Sequence, residues 1–145
     1  MTEIAFHFNA PDKVGYACRL LRKAFGSGAK VVVSGDSALL GELDLALWTF
    51  GQLDFVPHCR EPGAAPAVLA ASPIVLTGAP RAAPHHNVLV NVGDPVPDGF
   101  EAFDRLIEVV TSDDEDRAQA RQRWKHYATR GYSITRHDLA AEAQR

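Results

Sequence analysis

Apolar residues along this chain recur with two different periods, and the switches between them sketch a fold. Ile4-Ala5-Phe6-His7-Phe8 is a short apolar and aromatic run of the kind that forms a strand. Asn9 follows as a helix N-cap, with Pro11 in the first turn. Val14, Ala17, Cys18, Leu21 and Phe25 then fall at i, i+3, i+4, i+7 and i+11, one helical stripe. Arg19, Arg22 and Lys23 lie off that stripe, and Gly26 supplies the stop. Lys30-Val31-Val32-Val33-Ser34 is β-branched and of strand length. Asp36 or Ser37 caps a second helix whose Leu40, Leu43, Leu47 and Phe50 face inward.

Six of the nine prolines lie from Pro57 to Pro84, which excludes a long helix there, because proline removes a donor and clashes with the preceding turn. Inside that stretch Ile74-Val75-Leu76-Thr77 predicts a strand, and Asn87 to Val92 predicts another just after it. Pro95 to Gly99 makes a turn, and Phe103, Leu106, Ile107 and Val110 build a third helical stripe. A fourth helix runs from Ser112 to about Arg130, where Gly131 ends it. The succession is an α/β pattern: one domain over residues 1–145, with a mainly parallel sheet flanked by helices in a Rossmann-like topology.

Composition narrows the class of function. With 145 residues, 46% hydrophobic and 23% charged, the chain has the make-up of one ordinary globular core. A net charge of −3 provides no global positive field for a nucleic-acid backbone. No run approaches the length of a membrane span, and Met1-Thr2-Glu3-Ile4 has no basic-then-apolar leader, so a cytoplasmic protein is expected. Cys18 and Cys59 are too few for a disulfide framework or a four-cysteine zinc site.

Motifs for catalysis or cofactors are missing where such a fold would carry them. Neither G-x-x-x-x-G-K-[ST] nor G-x-G-x-x-G occurs, and Gly35-Asp36-Ser37 offers one glycine before a helix. No G-x-S-x-G elbow presents a serine nucleophile. His58, Cys59, His85 and His86 match no zinc spacing and have no carboxylate support. The expectation is therefore no catalytic residue, no metal and no cofactor.

The last helix is the most informative segment. Ser112-Asp113-Asp114-Glu115 reads as a capping box, with Ser112 at the N-cap and Glu115 at N3. Its acidic first turn suits the helix dipole, after which Arg117, Arg121, Arg123, Lys125 and Arg130 reverse the charge. Arg117, Arg121 and Lys125 repeat every four residues, and Trp124 falls on the same face, with Ala120 and Tyr127 on the flank toward the sheet. A tryptophan among cations suits an acidic, partly apolar ligand. A solvated helix with Trp124 folded into the core is the competing reading of the same pattern. A second aromatic group, Leu47-Trp48 and Phe55-Val56-Pro57-His58, reads from the residues alone as ordinary core.

Taken together, these segments are similar to the chi subunit of bacterial DNA polymerase III, over nearly the whole chain. The features that carry the resemblance are the opening strand and helix, Leu45-Ala46-Leu47-Trp48 leading to Phe55-Val56-Pro57-His58, and Arg121-Gln122-Arg123-Trp124-Lys125-His126-Tyr127 running into Gly131-Tyr132. The resemblance implies a nucleotide-binding-like α/β fold without a working nucleotide site, and no catalysis by this chain. It implies partners: the acidic C-terminal tail of single-stranded-DNA-binding protein, and the psi subunit, through which chi joins the clamp loader. Carried over by motif position, the tail site falls on Arg117, Arg121, Trp124 and Lys125, with Val110 as an apolar wall. The psi-facing surface falls on Trp48, Phe55 and Pro57. Trp124 stands where the family pattern has tyrosine, and Arg117 where lysine is common. The rival from another class is a small nucleotide-binding protein or enzyme using the loop around Gly35. Direct nucleic-acid binding through the basic helix is disfavoured by the net charge and by the acidic turn beside it.

Overall fold

Alternation along the strands decides which side chains meet which helices. The computed structural model describes residues 1–49, 57–61 and 64–140. Among these, seven strands form one sheet: β1 (Glu3–Ala10), β2 (Val31–Ser34), β3 (His58–Glu61), β4 (Ile74–Thr77), β5 (Val88–Asn91), β6 (Arg105–Thr111) and β7 (Ile134–Asp138). Their order is β3-β4-β2-β5-β6-β1-β7, and every pairing is parallel. The helices are α1 (Lys13–Gly26), α2 (Ser37–Thr49), α3 (Pro66–Ala71) and α4 (Asp114–Thr129), with 3₁₀ turns at Pro80–Ala82 and Phe100–Ala102.

Central parallel strands are covered on both sides, so two cores form. Val31, Val33, Ile74, Leu76, Val90, Ile107 and Val109 face α1 and α2, meeting Ala17, Cys18, Leu21, Leu40, Leu43 and Leu47. The intervening residues, Ile4, Phe6, Val32, Leu89, Leu106 and Val110, face α4 and the second 3₁₀ turn, meeting Phe100, Phe103, Ala120 and Tyr127. Each large side chain so buried contributes about 1.5–3 kcal/mol.

Several expectations are corrected. The stripe Leu106, Ile107, Val110 is not a helix but β6, held between β5 and β1. A strand buried on both faces shows a nearly continuous apolar run, and over seven residues that run also satisfies helical spacing. Asn9 does not cap α1. The strand continues through Ala10, Asn9 adopts a left-handed φ of 62°, and Asp12 is the N-cap, accepting from the Gly15 amide at 2.9 Å. Gly26 belongs to α1, and Gly28, with φ 82°, is the left-handed residue after it. Strands β3 and β7 and helix α3 were not expected. Phe50 lies outside the described residues.

A half-buried histidine in β1 couples this fold to pH. His7 Nδ1 lies 2.5 Å from the Tyr16 hydroxyl, and its ring is 4.7 Å from that of His137 on β7. Burial, then the charges of His137, Arg105 and Lys23, lower its pKa from 6.5 to about 4. The folded chain thus takes up this proton less readily than the unfolded chain. The contribution is fully present above pH 6.5 and is lost as pH falls toward about 4. His7→Gln is expected to flatten the fall in urea midpoint across that window relative to wild type. An unchanged slope would show that other groups set the acid limb.

Candidate functional site

The face of α4 that looks away from solvent is set by a buried charge. Glu108 points from β6 toward α4 and is fully buried, as is Arg123, whose Nε donates to its Oε1 at 3.0 Å. Asn91 Nδ2 donates to the same oxygen at 2.9 Å, and the Tyr127 hydroxyl donates to Oε2 at 2.5 Å. Burial pushes the Glu108 carboxyl pKa up, and Arg123, Tyr127 and Asn91 oppose it by stabilising the anion. The Tyr127 hydroxyl is pushed up as well, first by burial and then by the adjacent carboxylate. Arg123, one of the cations that follow the acidic first turn, is therefore core and not surface. Its Nη1 donates to the Asp94 carbonyl at 2.9 Å, tying α4 to the loop after β5.

The start of α4 is fixed separately. Asp113, not Ser112, is the N-cap and accepts from the Asp116 amide at 3.1 Å. Asp116 in turn accepts from the Thr111 amide at 2.8 Å and pairs with Lys13 of α1 at 2.8 Å. Burial alone would raise the Asp116 pKa, but Lys13 and Thr111 outweigh it and hold the carboxyl below its usual range.

With α4 fixed in rotation, about 100° per residue places the rest. Ala120 and Tyr127 turn inward, Trp124 comes next, then Arg117 and Arg121, and Lys125 lies farthest out. Beneath them, Phe6 and Phe8 of β1 and Val110 of β6 point to the same side of the sheet. The result is a groove of about 440 Å³ lined by Phe6, Phe8, Val110, Arg117, Ala120, Arg121, Trp124 and Arg136. Trp124 tilts against Phe6 with ring centres 5.0 Å apart, so it is half-buried: its inner edge packs and its outer part forms a wall. Arg117 and Arg121 are exposed and have no ion-pair partner among the described residues. Such a site takes an apolar side chain on its floor and carboxylates at its rim.

Four of the five residues singled out for an acidic ligand, Arg117, Arg121, Trp124 and Val110, thus share one groove, whereas Lys125 is exposed outside its lining. Sequence reasoning missed Phe6, Phe8 and Arg136. The period-2 alternation of Ile4-Ala5-Phe6-His7-Phe8 was the available signal for the first two. Arg136 sits in a polar strand that carries no such signal.

Toward the other edge of the sheet, α2 presents Leu45 and Trp48, 65% and 62% exposed, one helical turn apart. Trp48 is not core, contrary to the reading from the residues alone. Its ring meets His58 edge-on at 5.5 Å, and His58 Nε2 is 2.9 Å from Asp44 Oδ1. Pro57 beside it is half-buried, and Phe55 lies outside the described residues. The remaining histidines have separate neighbours: His85 Nε2 is 2.6 Å from the Ser72 carbonyl, and His86 lies against Phe103.

Gly35 borders a second crevice, of about 320 Å³, at the carboxyl ends of β2 and β5. Asp36, Asp94 and Asp98 line it together with Asn91 and several loop residues, and no cation does. Asp98 is paired with Arg81 at 3.2 Å and Asp36 accepts from the Leu39 amide, which leaves Asp94 to oppose a phosphate and no lining cation to attract one. Gly35 itself answers to packing, since a Cβ there would come within 2.9 Å of Val92 Cγ2. Among the described residues, no helix is long and apolar enough to cross a membrane.

Similarity to known proteins extends over nearly the whole chain. The family described as DNA polymerase III chi subunit, HolC, matches residues 1–135. The chain is 32% identical to the DNA polymerase III subunit chi of Pseudomonas aeruginosa over 146 aligned residues, covering 96% of this chain and 98% of that protein. It is 31% identical to the subunit chi of Haemophilus influenzae over 121 residues, 82% of each chain.

Two arginines on one helix should behave oppositely. Arg123→Ala strands a buried carboxylate and is expected to cost about 3–5 kcal/mol of stability. Arg121→Ala, at the exposed rim, should stay within about 0.5 kcal/mol of wild type. Urea denaturation of both variants measures the difference, and equal losses would contradict the assigned rotation of α4.

Proposed function

This chain belongs to the chi subunit family of DNA polymerase III, with an accessory role in replication, and from that premise we propose that it is a non-catalytic adaptor whose α4 groove receives the acidic C-terminal tail of single-stranded-DNA-binding protein. The observation that carries the reading is the groove itself: Arg117 and Arg121, without an ion-pair partner among the described residues, stand over an apolar floor of Phe6, Phe8 and Val110, with Trp124 as wall. A peptide with a terminal carboxylate and an apolar last residue satisfies both parts at once. Arg121, next to Trp124 in the cationic row, takes the terminal carboxylate. Lys125, at the outer rim, adds long-range attraction that salt screens.

The exposed Leu45–Trp48 face of α2 with Pro57 is the surface we assign to psi and through it to the clamp loader, together with Phe55, which joins the assignment by its place in the sequence motif alone. It is apolar, borders the β3 edge, and is separate from the groove. The whole chain, residues 1–145, then works as one domain in the cytoplasm, joining the polymerase assembly to coated single-stranded DNA without touching the DNA itself. A nucleotide-binding role at Gly35 is disfavoured by Asp94 and by the lack of a lining cation in that crevice.

Calorimetric titration with an acidic peptide ending in a free-carboxylate phenylalanine tests the reading. Arg121→Ala should weaken binding by about 2–4 kcal/mol, or roughly 30- to 1000-fold. Trp124→Ala should weaken it at every salt concentration, because apolar burial is little screened, whereas Lys125→Ala should matter mainly at low salt. Trp48→Ala should leave the peptide affinity unchanged. No binding by wild type, or a change under about threefold for Arg121→Ala, would remove the assignment.

A further inference from the structure

We infer that Arg136 is a second anion-binding residue of the groove, so that the ligand it fits carries carboxylates on both sides of its apolar side chain. This deepens the acidic-tail reading and rests on it. Register places Phe6 of β1 opposite Glu108 of β6 on one side and opposite Arg136 of β7 on the other. Side chains in one such row share a face of a parallel sheet. The row therefore runs from Glu108, which anchors α4, through Phe6, which carries Trp124, to Arg136 at the sheet edge.

The Arg136 guanidinium carbon lies 5.2 Å from the Phe8 ring centre and 5.9 Å from that of Trp124. Two aromatic faces thus hold a planar cation at the open side of the groove. Among the described residues it has no ion-pair partner, so its N–H groups remain available to a ligand. A guanidinium already stacked in place loses less freedom on binding than a free surface side chain. Arg117 and Arg121 come from α4 and Arg136 from β7, so cations flank the apolar floor from two different elements.

A ligand that paired with α4 alone would leave Arg136 unused. A C-terminal apolar residue preceded by acidic residues uses both sides: its α-carboxylate goes to the α4 arginines, its side chain rests on Phe6 and Trp124, and an upstream carboxylate reaches Arg136. Specificity then extends upstream of the last residue, to the acidic run.

Three peptides and three proteins test this. The peptides are an aspartate-rich one ending in a free-carboxylate phenylalanine, the same with the aspartates replaced by asparagine, and the same with a C-terminal amide. The proteins are wild type, Arg121→Ala and Arg136→Gln, each checked for an unchanged melting curve. Arg136→Gln is expected to weaken the aspartate peptide about fivefold or more at low salt, and the asparagine peptide less than about twofold. The penalty for the terminal amide should be the same in wild type and Arg136→Gln, and smaller in Arg121→Ala. Wild-type affinity for the aspartate peptide in Arg136→Gln, with Arg121→Ala impaired, would overturn this inference and leave the tail reading standing. Equal losses on both free-carboxylate peptides would reduce Arg136 to a packing role and also overturn it. Failure of wild type to bind any peptide would overturn both.

Discussion

The orientation of α4, and with it the groove, depends on one buried carboxylate. Glu108 sits in a strand flanked on both sides by other strands, and its charge is met by Arg123, Tyr127 and Asn91 within hydrogen-bond distance. Taking such a pair out of water is costly, and apolar residues of similar size would often serve stability as well. What the pair supplies here is an angle. Turning α4 by one residue would carry Arg123 about 100° away and leave the carboxylate unmet. Because Arg123 and Tyr127 must face inward, Trp124 is left at the sheet margin and Arg117 and Arg121 at the rim.

The same constraint separates two surfaces. The groove lies at the β1–β7 edge, and the Leu45–Trp48 face lies with α2 beside β3, at the opposite end of the strand order. Seven strands at their usual spacing place these edges about 29 Å apart. That separation suits a chain proposed to hold one partner at each end, since neither occupant obstructs the other. The all-parallel sheet between them is covered on both faces and provides a rigid spacer.

Much of this was legible in the residues, and the failures have physical causes. β1 stands out as an apolar and aromatic run of strand length, and β2, β4 and β5 as β-branched ones. α1, α2 and α4 stood out through stripes and caps. β6 was misread because burial on both faces erases the period of 2. β7, Ile-Thr-Arg-His-Asp, was invisible because an edge strand with three exposed residues shows no apolar pattern. Within the site, Arg117, Arg121 and Trp124 share a face by helical arithmetic alone. Arg123 gave no sign of its burial, since its partner Glu108 lies in a segment assigned to the wrong element. Arg136 was out of reach for a related reason: only the pairing of β7 with β1 brings it beside Trp124. From the residues alone Trp48 reads as core, since local sequence does not reveal which helix face lacks cover, whereas the family resemblance puts it on a surface, where it is found.

The fold's ordinary ligand position contrasts with the site proposed on α4. In open parallel sheets ligands sit beyond the carboxyl ends of the strands, where the chain leaves neighbouring strands in opposite directions. Here that place lies between β2, whose chain continues toward β3, and β5, whose chain continues toward β6. Close packing narrows it without filling it: a Cβ at Gly93 would come within 3.2 Å of the Gly35 Cα and one at Gly35 within 2.9 Å of Val92 Cγ2, yet a crevice of about 320 Å³ remains. Asp36, Asp94 and Asp98 line that crevice, Asp36 capping α2 and Asp98 paired with Arg81. Arg123 holds the Asp94 carbonyl at 2.9 Å, which ties the loop after β5 to α4. One buried arginine therefore ties the loop beside that crevice to α4 while, through Glu108, it turns the cationic, aromatic face of α4 outward.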